Sequence, residues 1–340
     1  MGKLSNKRTG YLPEGNLYTI SVKEGSLIQY ALLDSYGHDT LTNVIKGMNL
    51  FEIENLRCSY DKHYEEGKSK VVLEIKRLAL PRGKKVFIVG ESGIGKSTIL
   101  ETLGLMNNTI VPVDTDTKFE FCNEDGTKTD LKKMWHMGSD KELSQFRMKH
   151  YSFIFQSTNL MRNFTAFENV AFTRMLQGYT QYSCFQRTKK VLEDLGLDHV
   201  SEQRMAQELS GGQQQRLAFA RAILPDFTVL FGDEPTGNLD AENALRVMRV
   251  LSEKLDESAA NAASSAIIVS HDMHLAVSFA DLVIKIRKEI RPKEHDDEEE
   301  VAYGLIEDKC VFVPDAERKQ WTNGIETMET DEFEEYLRKK

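Results

Sequence analysis

The segment Gly90-Glu91-Ser92-Gly93-Ile94-Gly95-Lys96-Ser97-Thr98 has the residue types and spacing needed to hold a polyphosphate. Gly90, four residues, then Gly95-Lys96-Ser97 fits the phosphate-loop pattern. The glycines let successive backbone N–H groups turn inward at phosphate oxygens, and a helix opening at the loop adds the positive end of its dipole. Lys96 then reaches the terminal phosphates, and the Ser97 hydroxyl is placed to ligate Mg²⁺. A bare strand-to-helix turn is the competing reading. The apolar run Val86–Val89 before the loop and Ile99–Leu103 after it supply the strand and helix that phosphate binding requires.

Other chemistry sits at the ends of predicted strands. Thr228–Glu234 reads as a buried strand that delivers Asp233 and Glu234 at its C-terminal end. Side chains alternate along a strand, so the two carboxylates can divide the work. Asp233 can hold Mg²⁺ through water, and Glu234 can take a proton from an attacking water. Ala266–Ser270 ends at His271-Asp272, on the ligand side of an open α/β sheet, although a lone histidine also suits a structural role. Tyr151–Gln156 is a strand ending in an amide: Gln156 can ligate Mg²⁺ and sense a γ-phosphate, or be an ordinary surface residue. Leu209-Ser210-Gly211-Gly212-Gln213-Gln214-Gln215-Arg216 opens a helix in which Leu217, Ala220 and Leu224 recur at helical spacing before Pro225 stops it. This is a second helix N-terminus suited to an anion. Tyr60, at a strand end upstream of the phosphate loop, can stack on a purine or pack as any core or surface tyrosine.

The elements that must position these groups are read as follows. Leu17–Val22 is a strand and Ser26–Leu33 a helix capped at Ser26. Both belong to an added N-terminal piece that either packs on the main domain or docks a partner. Phe51–Leu56, Val71–Ile75 and Arg77–Leu80 are strands, with the polar turn Asp61–Lys70 after the first; Lys118–Cys122 is another, followed by the turn Asn123–Gly126. The sequence on to Arg147 reads only as a polar run. Thr165–Leu176 and Gln186–Leu195 are helices, the second capped at Gly196. Apolar groups in Asn159–Met161 and Phe164–Val170 are either core or a docking surface. Leu282, Ile284 and Ile286 alternate with Lys285 and Arg287 as a half-exposed strand, onto which Val301–Val313 can pair back. The acidic run Glu294–Glu300 is a solvated loop or a partner-binding segment. Phe333, Tyr336 and Leu337 form one side of a short terminal helix.

The 340 residues accommodate one large α/β domain with additions or two modest domains. Residues 291–340 contain 8 basic and 16 acidic residues, so this tail carries −8 of the net charge of −9. The body is therefore near neutral, and neither part has the basic surplus of a non-specific nucleic-acid binder. No apolar run is long enough to span a bilayer, the start Met1–Asn6 lacks the apolar core of a secretory signal, and Asn6 breaks the myristoylation pattern. Cys58, Cys122, Cys184 and Cys310 are widely spaced and suit reduced thiols, small buried hydrophobes in a cytosolic protein.

From Phe51 to about Arg287 the chain resembles an ABC-type ATPase subunit. The signature Leu209-Ser210-Gly211-Gly212-Gln213 sets it apart from small GTPases and nucleotide kinases. With Phe153–Gln156, Phe164–Val170 and Asp233–Asp240, it is similar to the macrolide-exporter, lipoprotein-releasing and cell-division branch. The resemblance implies a phosphate-loop NTPase core, that is, a RecA-like sheet with an antiparallel β subdomain. It also implies a helical subdomain at about 157–208 within an ATPase domain at 51–290, flanked by an N-terminal extension at 1–50 and an acidic extension at 291–340. ATP and Mg²⁺ would be its ligands. Tyr60 would stack on adenine, Gly90 to Thr98 would cradle phosphate, and Ser97, Gln156 and Asp233 would serve the metal. Glu234 would be the general base, and His271 would touch the γ-phosphate. Ser210, Gly211, Gly212 and Gln213 would act on the ATP of a second copy in a head-to-tail homodimer, with Asp240 in the loop joining the two sites. Transmembrane permease-type partners would dock near Asn159–Asn169 and hold the subunit at the inner face of the membrane. The alternative is a soluble, non-transport ABC ATPase for defence or nucleic-acid maintenance that controls an effector. A non-hydrolysing scaffold is disfavoured by the presence of Glu234 and His271. The spacing of 60 residues from Lys96 to Gln156 is longer than this branch uses, with extra polar sequence around Val113–Met137.

Overall fold

A computed structural model describes residues 7–11, 17–21, 49–61, 64, 69–112, 115–198, 203–258, 264–291 and 301–339. Strands β1 (Lys7–Tyr11) and β2 (Leu17–Ser21) form an antiparallel pair. The expected helix at Ser26–Leu33 and the acidic run Glu294–Glu300 lie outside the described residues.

The chain continues through β3 (Asn49–Ser59), β4 (Val71–Pro81), β5 (Lys85–Val89), α1 (Lys96–Leu103), β6 (Lys118–Cys122), β7 (Lys128–Asp130), α2 (Leu131–Met137), α3 (Asp140–His150) and β8 (Tyr151–Ile154). Next come α4 (Ala166–Leu176), α5 (Gln181–Asp194), α6 (Gly211–Ile223), β9 (Val229–Asp233), α7 (Ala241–Ser258), β10 (Ser265–Val269), α8 (Met273–Phe279) and β11 (Leu282–Lys285). Last are β12 (Arg287–Arg291), β13 (Val301–Ile306), β14 (Val311–Pro314), β15 (Gln320–Thr322), β16 (Thr327–Glu329) and α9 (Thr330–Arg338).

Two sheets enclose α1. One has the order β16-β15-β14-β11-β5-β10-β9-β8, with β11 through β8 parallel; the other has the order β12-β13-β4-β3-β6-β7. The parallel strands are apolar along their length because both faces are covered. Their residues alternate between two cores: Phe87 and Val89 join the helices α6 to α9, whereas Val86 and Ile88 face α1 and the second sheet. Ile99, Leu100 and Leu103 anchor α1 in that second core. No helix of the described residues is long and apolar enough to cross a membrane.

Several local expectations need correction. Val71–Ile75 and Arg77–Leu80 are one strand, β4. The polar run before Arg147 contains α2 and α3, started by an Asp130 cap and by a Ser139/Glu142 capping box. Each fully buries a single residue, Leu131 or Leu143, while Met134, Trp135 and Phe146 pack on the core only in part, so their apolar stripes are short and interrupted by charged residues. The helix expected from Gln186 starts at Gln181, where the Thr180 side chain caps it. Leu282, Val283 and Ile284 are all buried because β14 pairs along the outer side of β11.

The chain beyond residue 291 continues both sheets. Strand β13 lies between β12 and β4, antiparallel to the first and parallel to the second, and β14 to β16 extend the first sheet. Trp321 and Phe333 are fully buried, with ring centroids 4.8 Å apart, and α9 packs on α8. All four cysteines are free and buried.

Candidate functional site

Strands β5, β9 and β10 run parallel, so the phosphate loop, Asp233-Glu234 and Ser270-His271 emerge at one end of the sheet. Gly93 and Gly95 take φ of 77° and 101°, left-handed values that favour glycine, and Gly95 caps α1 without a side-chain acceptor for its first N–H groups. Those donors remain available to an anion. The Lys96 side chain is buried and folds back, donating to the carbonyls of Gly90 (2.9 Å) and Glu91 (2.7 Å). Burial lowers its pKa, and the carboxylates Glu234 and Asp233 act in the opposite direction.

Ser97 Oγ donates to Asp233 Oδ2 at 3.3 Å. Burial raises the Asp233 pKa; the Ser97 hydrogen bond opposes this, and the neighbouring Glu234 charge adds to it. Hydroxyl and carboxylate are the hard oxygen donors that Mg²⁺ prefers, and a part-buried carboxylate next to a second one gains from a cation. The Glu234 Oε1 and His271 Nε2 atoms lie 3.0 Å apart. Glu234 has φ of 51°, an uncommon value for a residue with a Cβ, and its N–H donates to the Val269 carbonyl at 3.0 Å. Gln156 is exposed two residues past the end of β8, the strand that pairs with β9. Tyr60 is 54% exposed, and its hydroxyl is 3.1 Å from Thr98 Oγ1, so the ring stands beside the loop helix.

The Ser210–Gln213 end is built differently. Ser210 Oγ accepts from the Gln213 N–H, and Gln213 Oε1 accepts from the Ser210 N–H, forming a capping box at the start of α6. Ser210 and Gly211 face solvent, and nothing lies within 4 Å of where a Gly211 Cβ would be. Asp240 is exposed and accepts from the Asn243 N–H at 2.9 Å.

Two supporting residues were not singled out in the sequence. Gln215, buried on α6, donates to the carbonyls of Glu234 (3.3 Å) and Pro235 (2.9 Å) and accepts from the Asn238 N–H (3.1 Å). It therefore ties α6 to the turn after the two carboxylates. Gly304 on β13 passes under the phosphate loop, where a Cβ would sit 2.2 Å from the Ile94 carbonyl oxygen. A glycine within an α6 or β13 pattern gives no sign of such distant neighbours; a glutamine in a Gln-Gln-Gln run gives none either.

The region Asn159–Asn169 divides in two. Phe167 and Asn169 are buried; Asn169 Nδ2 donates to the carbonyls of Met161, Phe164 and Thr165, which holds the loop in shape. The exposed apolar side chains are on the following turns of α4, at Phe172, Met175 and Leu176.

A family model described as ABC transporter matches residues 73–237. The lipoprotein-releasing system ATP-binding protein LolD of Colwellia psychrerythraea is 34% identical over 237 residues, covering 69% of this chain and 84% of that protein. The macrolide export ATP-binding/permease protein MacB of Aggregatibacter actinomycetemcomitans is 36% identical over 241 residues, covering 71% of this chain and 34% of that protein. The chain thus spans about a third of the macrolide export protein it matches. Among solved structures, a bacterial ABC transporter cassette in dimeric form aligns with a TM-score of 0.56 at 27% identity, over 69% of this chain and 93% of that one. A dimeric post-hydrolysis state of the same cassette, bound to ADP and Pi, aligns with a TM-score of 0.55 at 28% identity and the same coverage.

Proposed function

Because this chain belongs to the ABC transporter family of ATPase cassettes, we propose that it is the ATP-binding and hydrolysing subunit of a complex with separately encoded membrane partners. The observation that carries this reading is the convergence of phosphate loop, carboxylate pair and histidine at one sheet end, with Ser97–Asp233 at 3.3 Å and His271–Glu234 at 3.0 Å.

Gly90, Ser92, Gly93, Gly95, Lys96, Ser97 and Thr98 cradle the triphosphate. Lys96 exchanges its loop carbonyls for phosphate oxygens, and Tyr60 offers its exposed ring to the base. Ser97, Asp233 and Gln156 would hold Mg²⁺, which when bound neutralises charge on the phosphate oxygens. Glu234 accepts the proton of the attacking water. His271 fixes the Glu234 carboxylate and reaches for the γ-phosphate. Ser210, Gly211, Gly212 and Gln213 lie on a solvent-facing helix end, so they act on the ATP of a second copy in a head-to-tail homodimer. Two such ends around each ATP exclude water from the reacting phosphate. Asp240 lies in the loop between the paired sites. The membrane partners dock on the Asn159–Asn169 loop and the apolar groups of α4, and place the subunit at the cytoplasmic face. The ATP-binding roles named for LolD and MacB support this assignment.

The test is light scattering on the Glu234→Gln chain with ATP and Mg²⁺, followed by affinity purification from detergent-solubilised membranes. A stable dimer that recovers a multi-span protein is expected. A monomer under all conditions would remove the shared-site reading, and recovery of a soluble effector alone would replace the membrane role.

A further inference from the structure

We propose that the cleft at the other end of the core strands is a second ligand site, for a small compound carrying two or more phosphate groups. This inference does not depend on the ATPase assignment. His150, Thr228 and Ser264 line the cleft, and they immediately precede β8, β9 and β10. Asp233 ends β9, so about 13 Å of strand separates the cleft floor from the nucleotide end. One wall is the β6–β7 turn with α3, which includes part of the extra polar sequence around Val113–Met137; the other is formed by α4 and α5. Its volume of about 1170 Å³ is ample for a nucleotide-sized molecule.

The charges inside are unequally compensated. The Arg82 side chain is only 6% exposed. Its Nη2 donates to the Cys122 carbonyl and its Nη1 is ion-paired with Glu124 Oε1 at 3.8 Å, too long for a hydrogen bond, so Nε and Nη1 make no hydrogen bond among the described residues. Arg174 on the facing wall is 2% exposed and gives Nη1 to the Leu224 carbonyl and Asp226, leaving Nε unpaired. Lys254 on α7 is partly buried beside it.

Of the five acids that line the cleft, Glu124 pairs with Arg82, Glu257 is exposed, and the other three are engaged by their own neighbours. Asp226 accepts from Arg174 and Tyr179, Asp125 from Thr127, and Glu142 from the Ser139 cap. Burial lowers the pKa of both Arg82 and Lys254, the response of cations that lack full compensation. Guanidinium N–H groups match phosphate oxygens in geometry and charge, and cations on both walls call for more than one anionic group.

Inorganic pyrophosphate is the probe. It is titrated calorimetrically into the full chain with the phosphate loop already saturated by a non-hydrolysable ATP analogue and excess Mg²⁺. One further equivalent should bind. Lys254→Ala should weaken it by roughly tenfold, the scale of one hydrogen bond to a charged group, while ATP-analogue affinity and thermal stability stay unchanged. Arg82→Lys, which keeps the charge and loses the fork, should weaken it as well. Absence of a second binding event, or equal affinity in wild type and both variants, would overturn the proposal.

Discussion

Helices α1 and α6 both begin with a glycine-containing turn, yet their first turns are finished in opposite ways. Gly95 caps α1 with no side-chain acceptor; it and Lys96 are buried at the base of a loop whose Ser92 and Gly93 are exposed. Ser210 caps α6 with a reciprocal Ser/Gln box on an exposed surface. The donors of α1 are thus left for an anionic ligand. Those of α6 are partly satisfied within the chain and face outward, where a second copy would meet them under the proposed head-to-tail pairing.

Five measurements test that contrast. The largest effect is expected for Glu234→Gln, which should slow turnover by about 10²–10⁴-fold, the usual reach of a general base, while ATP still binds. Unchanged turnover would take Glu234 out of that role. Lys96→Ala should weaken ATP binding by about 1.5–3 kcal/mol, the value of hydrogen bonds to a charged group, as read by calorimetry.

Gln215→Ala leaves the Glu234, Pro235 and Asn238 backbone groups without their partner. It should lower stability by about 1–3 kcal/mol in a denaturant melt. Ser210→Ala should cost about 0.5–2 kcal/mol as a lost cap, with little change in the affinity of the isolated chain for ATP. Mixing Lys96→Ala with Ser210→Ala chains sharpens the comparison, because a head-to-tail pair then contains one pocket with both ends intact. Hydrolysis should reappear on mixing, and its absence would mean that the two helix ends do not share a site.

How much of this was written in the sequence depends on distance along the chain. The phosphate loop, the Ser210 helix start and the strand ends carrying Asp233 and His271 are made of neighbours, so their types and spacing could be read directly. Helices α2 and α3 carried legible caps at Asp130 and Ser139. Their apolar faces, Leu131 with Met134 and Trp135 and Leu143 with Phe146, span barely one turn each among charged neighbours, too short for periodicity to mark a helix. The burial of Leu282–Ile284 depended on β14, some thirty residues on, which no local alternation reports.

The sequence by itself determined the chemistry of each short segment: which turn can bare its N–H groups, which strand ends in acids, which helix begins with serine. Tertiary structure alone decided that β13 enters between β12 and β4 with Gly304 against the Ile94 carbonyl, and that Gln215 holds the turn behind Glu234. The reason is physical. A local conformation follows from a few adjacent side chains, whereas a close approach between distant segments is set by the packing of everything between them.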